Sequence, residues 1–287
     1  MRDNLASTKT DDGIVTTPLI QTILTTTDDN ILDGHWITAK TSAFNNVDEL
    51  LLTPKQKISR LCQTGCQFGS KVQNLNQKML PFIFTEFNGS GGAYHLLDAV
   101  QIYKKLEIAC NKVYSMIVDE SANVLFICTN SKSASLIEEL AKMSDSAYLT
   151  NRWCGGTLTN WKVTQGRINA LRILEQEDFS KFSKKEASEV KKKLSDLNNR
   201  FGGVKNLQKQ PDLVIIIDQV ADKTAIQEAR KLQIPIIGII DSSGDPELVD
   251  YPIIGNKSGL LALKTLVGAL ADTIITANRH LKEKFQS

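Results

Sequence analysis

From residue 80 onward the chain alternates short, wholly apolar runs with longer stretches of helical period. Phe82-Ile83-Phe84, Val124–Ile127, Leu213–Ile217 and Ile236–Ile240 are dense in β-branched and aromatic residues and bounded by Asp, Asn, Pro or Gly. Runs without polar alternation predict strands buried on both faces, as in a parallel sheet. Tyr148-Leu149-Thr150 adds a shorter strand. Between these runs, Leu96–Ser115 carries Leu97, Val100, Tyr103, Leu106 and Ile108 near helical spacing. Ser131–Met143 does so with Leu136, Ile137 and Leu140, and Lys223–Leu232 with Ala225, Ile226, Ala229 and Leu232. Strands alternating with helices predict an α/β fold, a mainly parallel sheet covered on both faces.

Two segments break this rhythm. Residues 1–53 are rich in Thr, Asp and Asn and hold no sustained period of 2 or 3.6, which predicts an extension that is irregular or ordered by a partner. Pro54, with Thr53 as cap, then opens a short amphipathic helix carrying Ile58, Leu61 and Cys62 and ending at Gly65. From Lys162 to Arg200, Ile168, Leu171 and Leu174 mark one helical span and Val190, Leu194 and Leu197 a second, joined around Asp178-Phe179-Ser180-Lys181. A narrow apolar stripe with charged flanks predicts an antiparallel hairpin with a coiled-coil seam. The expected organisation is an α/β domain from 54–161 and 201–287, with residues 162–200 inserted as the hairpin.

Composition narrows the function only a little. With 287 residues, 41% apolar content and a net charge of +2, the chain can bury a large core but carries no global field that announces nucleic acid. Any RNA surface must come from local clustering, and the hairpin offers one: Lys181, Lys184, Lys185, Lys191, Lys192, Lys193 and Arg200 outnumber its acids. A solvated helix face explains the same charges. No run approaches the ~18 apolar residues of a membrane span, and no basic stretch followed by an apolar core opens the chain, so it is expected to be soluble and not secreted. Asp3, Asp11 and Asp12 also differ from an Arg-rich transit peptide, so either the protein is made where it works or a presequence is already gone.

The segment Asn151-Arg152-Trp153-Cys154-Gly155-Gly156-Thr157-Leu158-Thr159-Asn160-Trp161 concentrates a guanidinium, two indoles, paired glycines and amides. Arg forks onto phosphate oxygens, Trp offers a flat face, and glycine lets a backbone approach closely. A tight turn beside a buried Trp is the competing reading of the same residues.

Enzymatic machinery is sparse. There is no phosphate-binding GxxxxGK[ST], no GxGxxG after a strand, no GxSxG and no HExxH. Asn88-Gly89-Ser90-Gly91-Gly92 reads as a hairpin or a close contact with RNA. Asp218, Asp241 and Asp245 stand at strand ends, where an enzyme would place carboxylates, but Asp241-Ser242-Ser243-Gly244-Asp245-Pro246 is also turn and cap chemistry. Cys62, Cys66, Cys110, Cys128 and Cys154 lack zinc-type pairing with the three histidines, and an odd count argues against a full disulfide framework. No metal or cofactor is expected.

Several ordered motifs together resemble a known family over Cys62 to Ala277. They are Gly65 through Gly69, Asn76-Gln77-Lys78-Met79-Leu80-Pro81-Phe82-Ile83, Asn151 through Asn160, Ser183-Lys184-Lys185-Glu186, Gly202-Gly203-Val204-Lys205, Pro211-Asp212, Ile234-Pro235 and Asp245-Pro246. In order and spacing they resemble the universal small-subunit ribosomal protein two family in its bacterial and organellar form. The resemblance implies a Rossmann-like α/β domain with an inserted coiled-coil hairpin and no enzyme activity. It implies docking between head and body of the small subunit, contacts with small-subunit rRNA and neighbouring ribosomal proteins, and an indirect role in the messenger RNA path. This chain departs from the family pattern at Gln67 and Ser70, which replace two histidines, at Gln77 for a proline, at Asn130 for a basic residue, and at Lys257-Ser258 for an acidic pair. The runs Pro211–Gln219 and Leu270–Ile274 are similar to plastid and cyanobacterial members, so a plastid ribosome is expected, with a mitochondrial ribosome as the alternative.

The expected rRNA-facing set is Lys71, Lys78, Arg152, Trp153, Asn160, Trp161, Lys162, Arg167, Lys184, Lys185 and Lys205, with the cations neutralising phosphates. The competing functions are an extraribosomal adaptor using the basic hairpin and a nucleotide-dependent α/β enzyme acting near Asp218 and Asp241. No membrane or small-molecule partner is expected.

Overall fold

The computed structural model describes residues 53–89, 92–177 and 183–286, together with the backbone of Thr8–Lys9 and Val15–Thr16, which pair antiparallel. The rest of the expected extension, the join at 178–182 and Ser90-Gly91 lie outside the described residues. Helix α1 (Pro54–Gln63) starts as its sequence demands. Thr53 Oγ1 accepts from Gln56 N while Gln56 Oε1 accepts from Thr53 N, a reciprocal cap that satisfies two otherwise orphaned donors.

Strands β1 (Phe68–Lys71), β2 (Ile83–Gly89) and β3 (Gly92–Leu97) form a separate antiparallel sheet in the order β1-β3-β2. This corrects the reading of Phe82-Ile83-Phe84 as a buried parallel strand. Strand β2 pairs antiparallel with β3, from Ile83↔Leu97 to Gly89↔Gly92, and its Phe84 and Phe87 are exposed. Three apolar residues cannot report parallel pairing, and a partner two residues away can only be antiparallel. Leu96 and Leu97 close β3, so helix α2 (Ala99–Glu120) begins later than its apolar spacing suggests, where Asp98 accepts from Val100 N at 2.9 Å. Ile108, expected on the core face of α2, is exposed.

The principal sheet follows. Strand β4 (Val124–Ile127) leads into α3 (Ala134–Met143) and β5 (Ala147–Leu149), and then come two helices, α4 (Trp161–Gln176) and α5 (Lys184–Phe201). Strand β6 (Leu213–Ile216), α6 (Lys223–Lys231), β7 (Ile236–Ile240), β8 (Tyr251–Ile254) and α7 (Leu260–Gln286) complete the chain. All five strands run parallel in the order β8-β7-β6-β4-β5. Every residue of β4, β6 and β7 is buried, as runs without polar alternation predict. Strand β8 was not evident in the sequence; its Pro252 is tolerated because the strand is an edge.

Helices α2 and α7 pack together and α7 also meets α3. Over Leu260–Lys284, α7 is long and apolar enough to cross a membrane, contrary to the expectation of no such segment. Counting uninterrupted runs missed it because Lys264 and Asp272 break the series. Its stripe of Leu263, Leu266, Val267, Leu270 and Ile274 is buried in the protein core.

Helices α4 and α5 pack on one another. Ile168 and Leu171 of α4 are fully buried, whereas Val190, Leu194 and Leu197 of α5 are half-buried. Ser183 and Glu186 form a second reciprocal cap at the start of α5. After α5 the chain passes so close to β5 that a Cβ on Gly203 would strike the carbonyl and ring of Tyr148.

Candidate functional site

The Arg152–Trp161 segment is folded around one carboxylate. Glu228, on the core-facing side of α6 and 8% exposed, accepts from Trp153 Nε1 at 3.0 Å and Gly156 N at 2.8 Å through Oε1. Its Oε2 accepts from Leu158 N at 3.0 Å, Thr159 N at 3.1 Å and Thr159 Oγ1 at 3.2 Å. Gly156 has φ +88°, a conformation that favours glycine and turns successive N–H groups toward the carboxylate. Burial pushes the Glu228 carboxyl up, but the indole and the three backbone N–H donors outweigh it and leave the pKa below its ordinary value.

Further bonds lock the inner half of the segment. Leu158 is buried and its carbonyl accepts from Gln210 Nε2 at 2.9 Å, while Thr164 Oγ1 donates to Thr157 O at 2.9 Å. Trp153 and Trp161 are half-buried and packed against the core, so each ring serves as an anchor. The outer half is different in chemistry. Arg152, Asn160, Lys162 and Arg167 are exposed, and Asn160 precedes α4 without spending its side chain on a cap. From Asn151 to Leu174 the sequence contains no Asp or Glu. The result is a bonded inner turn presenting exposed cations from a stretch of chain without acids, suited to phosphate oxygens.

The other expected site residues are dispersed. Lys71 is exposed on β1 and Lys185 on α5; of Lys184 the structure describes only the backbone, at the first position of α5. Lys78 does not stand as a free cation: its Nζ lies 2.8 Å from Asp245 Oδ2 and 2.5 Å from Glu247 Oε2. Lys205 Nζ likewise pairs with Glu175 at 3.2 Å, and its carbonyl accepts from Arg172 Nε at 2.9 Å. Both lysines first serve contacts within this chain.

Glu228 was missed in the sequence although a signal existed: it falls three residues after Ala225 and one before Ala229, on the buried stripe of α6. An acid at such a position needs several donors to be tolerated.

The strand-end carboxylates are consumed by structure. Asp218 Oδ1 accepts from Val220 N at 3.0 Å and from Lys257 Nζ at 3.0 Å. Asp241 Oδ1 accepts from Ser243 N and Oγ, its Oδ2 is bonded by the Ser70 hydroxyl, and Lys257 Nζ lies 3.7 Å away. Asp245 accepts from Glu247 N. Lys257 Nζ thus lies within reach of both Asp218 and Asp241, beyond the carboxyl ends of the strands, where open α/β folds take ligands. Burial pushes the thiols of Cys62 and Cys66 up to about 11 and that of Cys110 up to about 12, so they stay protonated packing groups.

Comparison with known proteins places most of the chain in one family. A family model described as "Ribosomal protein S2" matches residues 61–277. The "Small ribosomal subunit protein uS2c" of Trieres chinensis is 40% identical over 229 residues, covering 78% of this chain and 98% of that protein. The protein of the same name from Porphyra purpurea is 38% identical over 221 residues, covering 76% and 90%. The "Small ribosomal subunit protein uS2" of Picosynechococcus sp. is 38% identical over 234 residues, covering 79% and 88%.

Proposed function

This chain belongs to the ribosomal protein S2 family, and on that premise we propose that it is a structural constituent of the small subunit of a plastid ribosome. It binds small-subunit rRNA and neighbouring ribosomal proteins at the junction of head and body, and its work is binding. The observation that carries the rRNA contact is the exposed set Arg152, Asn160, Lys162 and Arg167 on a stretch without acids, whose preceding turn is bonded to Glu228. Cations on a pre-ordered backbone neutralise phosphates without having to order a loop on binding. Lys71, Lys184 and Lys185 extend the contact from β1 and α5, and residues 162–200 act as an inserted arm.

The plastid assignment rests on relatives named uS2c in Trieres chinensis, Porphyra purpurea and Cyanophora paradoxa, beside cyanobacterial uS2 proteins. Sedimentation of a plastid lysate in high magnesium tests it: the protein is expected in the small-subunit peak, and its absence there would overturn the proposal. Crosslinking from Arg152 and Lys162 is expected to recover rRNA.

A further inference from the structure

Helix α4 carries two apolar stripes, and among the described residues only one is fully buried. Thr164, Ile168 and Leu171 are buried. On another side, Val163, Gly166, Ala170 and Ile173 recur at steps of three and four, which sets them on one face. Val163 is 47% exposed and Ile173 62% exposed. Gly166 is exposed at the centre of this face.

Nothing within the described residues requires that glycine. It lies inside a regular helix and not among the positive-φ glycines, and a Cβ added there would meet no atom within 4 Å. Gly203, by contrast, has no room for a Cβ. Glycine in a helix interior weakens the helix relative to alanine, and no packing among the described residues offsets that cost at Gly166. The flanks are basic: Lys162 and Arg167 adjoin Val163 and Gly166, Arg152 lies just before the helix, and no acid intervenes.

We propose that this face of α4 is where the ribose–phosphate backbone of rRNA comes closest to the protein. Gly166 removes the side chain that would hold the strand away. Val163, Ala170 and Ile173 pack against the apolar faces of riboses, and Lys162 and Arg167 reach the phosphates on either side. Charge complementarity selects RNA over a second protein helix, which would otherwise suit a small-residue groove. This inference rests on the rRNA-binding reading and adds the surface and the mode of contact.

The test compares the full-length wild type with Gly166→Ala and Gly166→Leu, measuring thermal unfolding of the free protein, affinity for purified small-subunit rRNA, and incorporation into small subunits. Gly166→Ala is expected to raise the Tm by about 2 °C, which confirms that the glycine serves no internal need. Gly166→Leu is expected to fold and to weaken rRNA affinity by about tenfold or more, the scale of one lost close contact. Unchanged affinity and incorporation of a folded Gly166→Leu protein would overturn the inference while leaving the ribosomal reading intact. Failure of the wild type to bind rRNA or enter the subunit would sink both. A photo-crosslinker at Val163 that recovers only another protein would replace the RNA by a protein partner.

Discussion

Trp153 donates its indole N–H to Glu228 Oε1 at 3.0 Å, joining the segment that follows β5 to a helix 75 positions further along the chain. That bond and the backbone donations beside it turn a sequence rich in RNA-binding residue types into a fixed surface. Removing the carboxylate should therefore reach both stability and binding.

Glu228→Gln retains shape but replaces one accepting oxygen by an amide that meets backbone donors. Buried donors left without a partner cost about 1–3 kcal/mol each. The expected loss is about 2–4 kcal/mol in denaturant unfolding, with a change in Trp fluorescence as Trp153 is released. A variant as stable as wild type would show that the segment is ordered by something other than Glu228.

Lys257 sits between Asp218 and Asp241 with side-chain exposures of 13%, 15% and 4%. Lys257→Met should destabilise the protein by about 3 kcal/mol, because it leaves two little-exposed carboxylates without the cation they share. Adding Asp218→Asn should recover part of that loss. Independent, additive effects in the double-mutant cycle would contradict a shared cluster.

Salt dependence separates phosphate contacts from internal ion pairs. Arg152→Ala and Lys162→Ala should each reduce the slope of log K against log salt by about 0.7–0.9 for rRNA binding. Lys78→Ala should leave the slope unchanged, since its ammonium is held by Asp245 and Glu247. A slope change as large for Lys78 as for Arg152 would show that the pairing opens on the RNA.

Asp272 of α7 has a side-chain oxygen, Oδ1, without a partner, and burial pushes its pKa up to about 6. A carboxyl whose pKa is higher folded than unfolded favours the native state while protonated. Its contribution is complete below the unfolded value of about 3.9 and lost as pH rises through about 6. Asp272→Asn should raise the Tm at pH 8 and leave it unchanged near pH 3.5. Glu228, with a lowered pKa, works in the opposite sense and loses its contribution on acidification.

Much of this protein is determined locally. Unbroken apolar runs require two-sided burial, which is why β4, β6 and β7 could be read directly as parallel core strands. Thr53 with Gln56 and Ser183 with Glu186 mark helix starts because a cap involves residues three apart. The residue types at Arg152–Asn160 fitted a packed turn and an RNA contact equally well. What the tertiary structure decided depends on pairs far apart in sequence. Whether Phe82–Phe84 joins the main sheet depends on which strand lies beside it, and whether Lys78 or Lys205 is free depends on which carboxylate folds against it. The same holds for the exposed Gly166 and the buried Glu228: only the packed chain reveals that, among the described residues, a Cβ on the first would meet no atom within 4 Å and that five donors converge on the second.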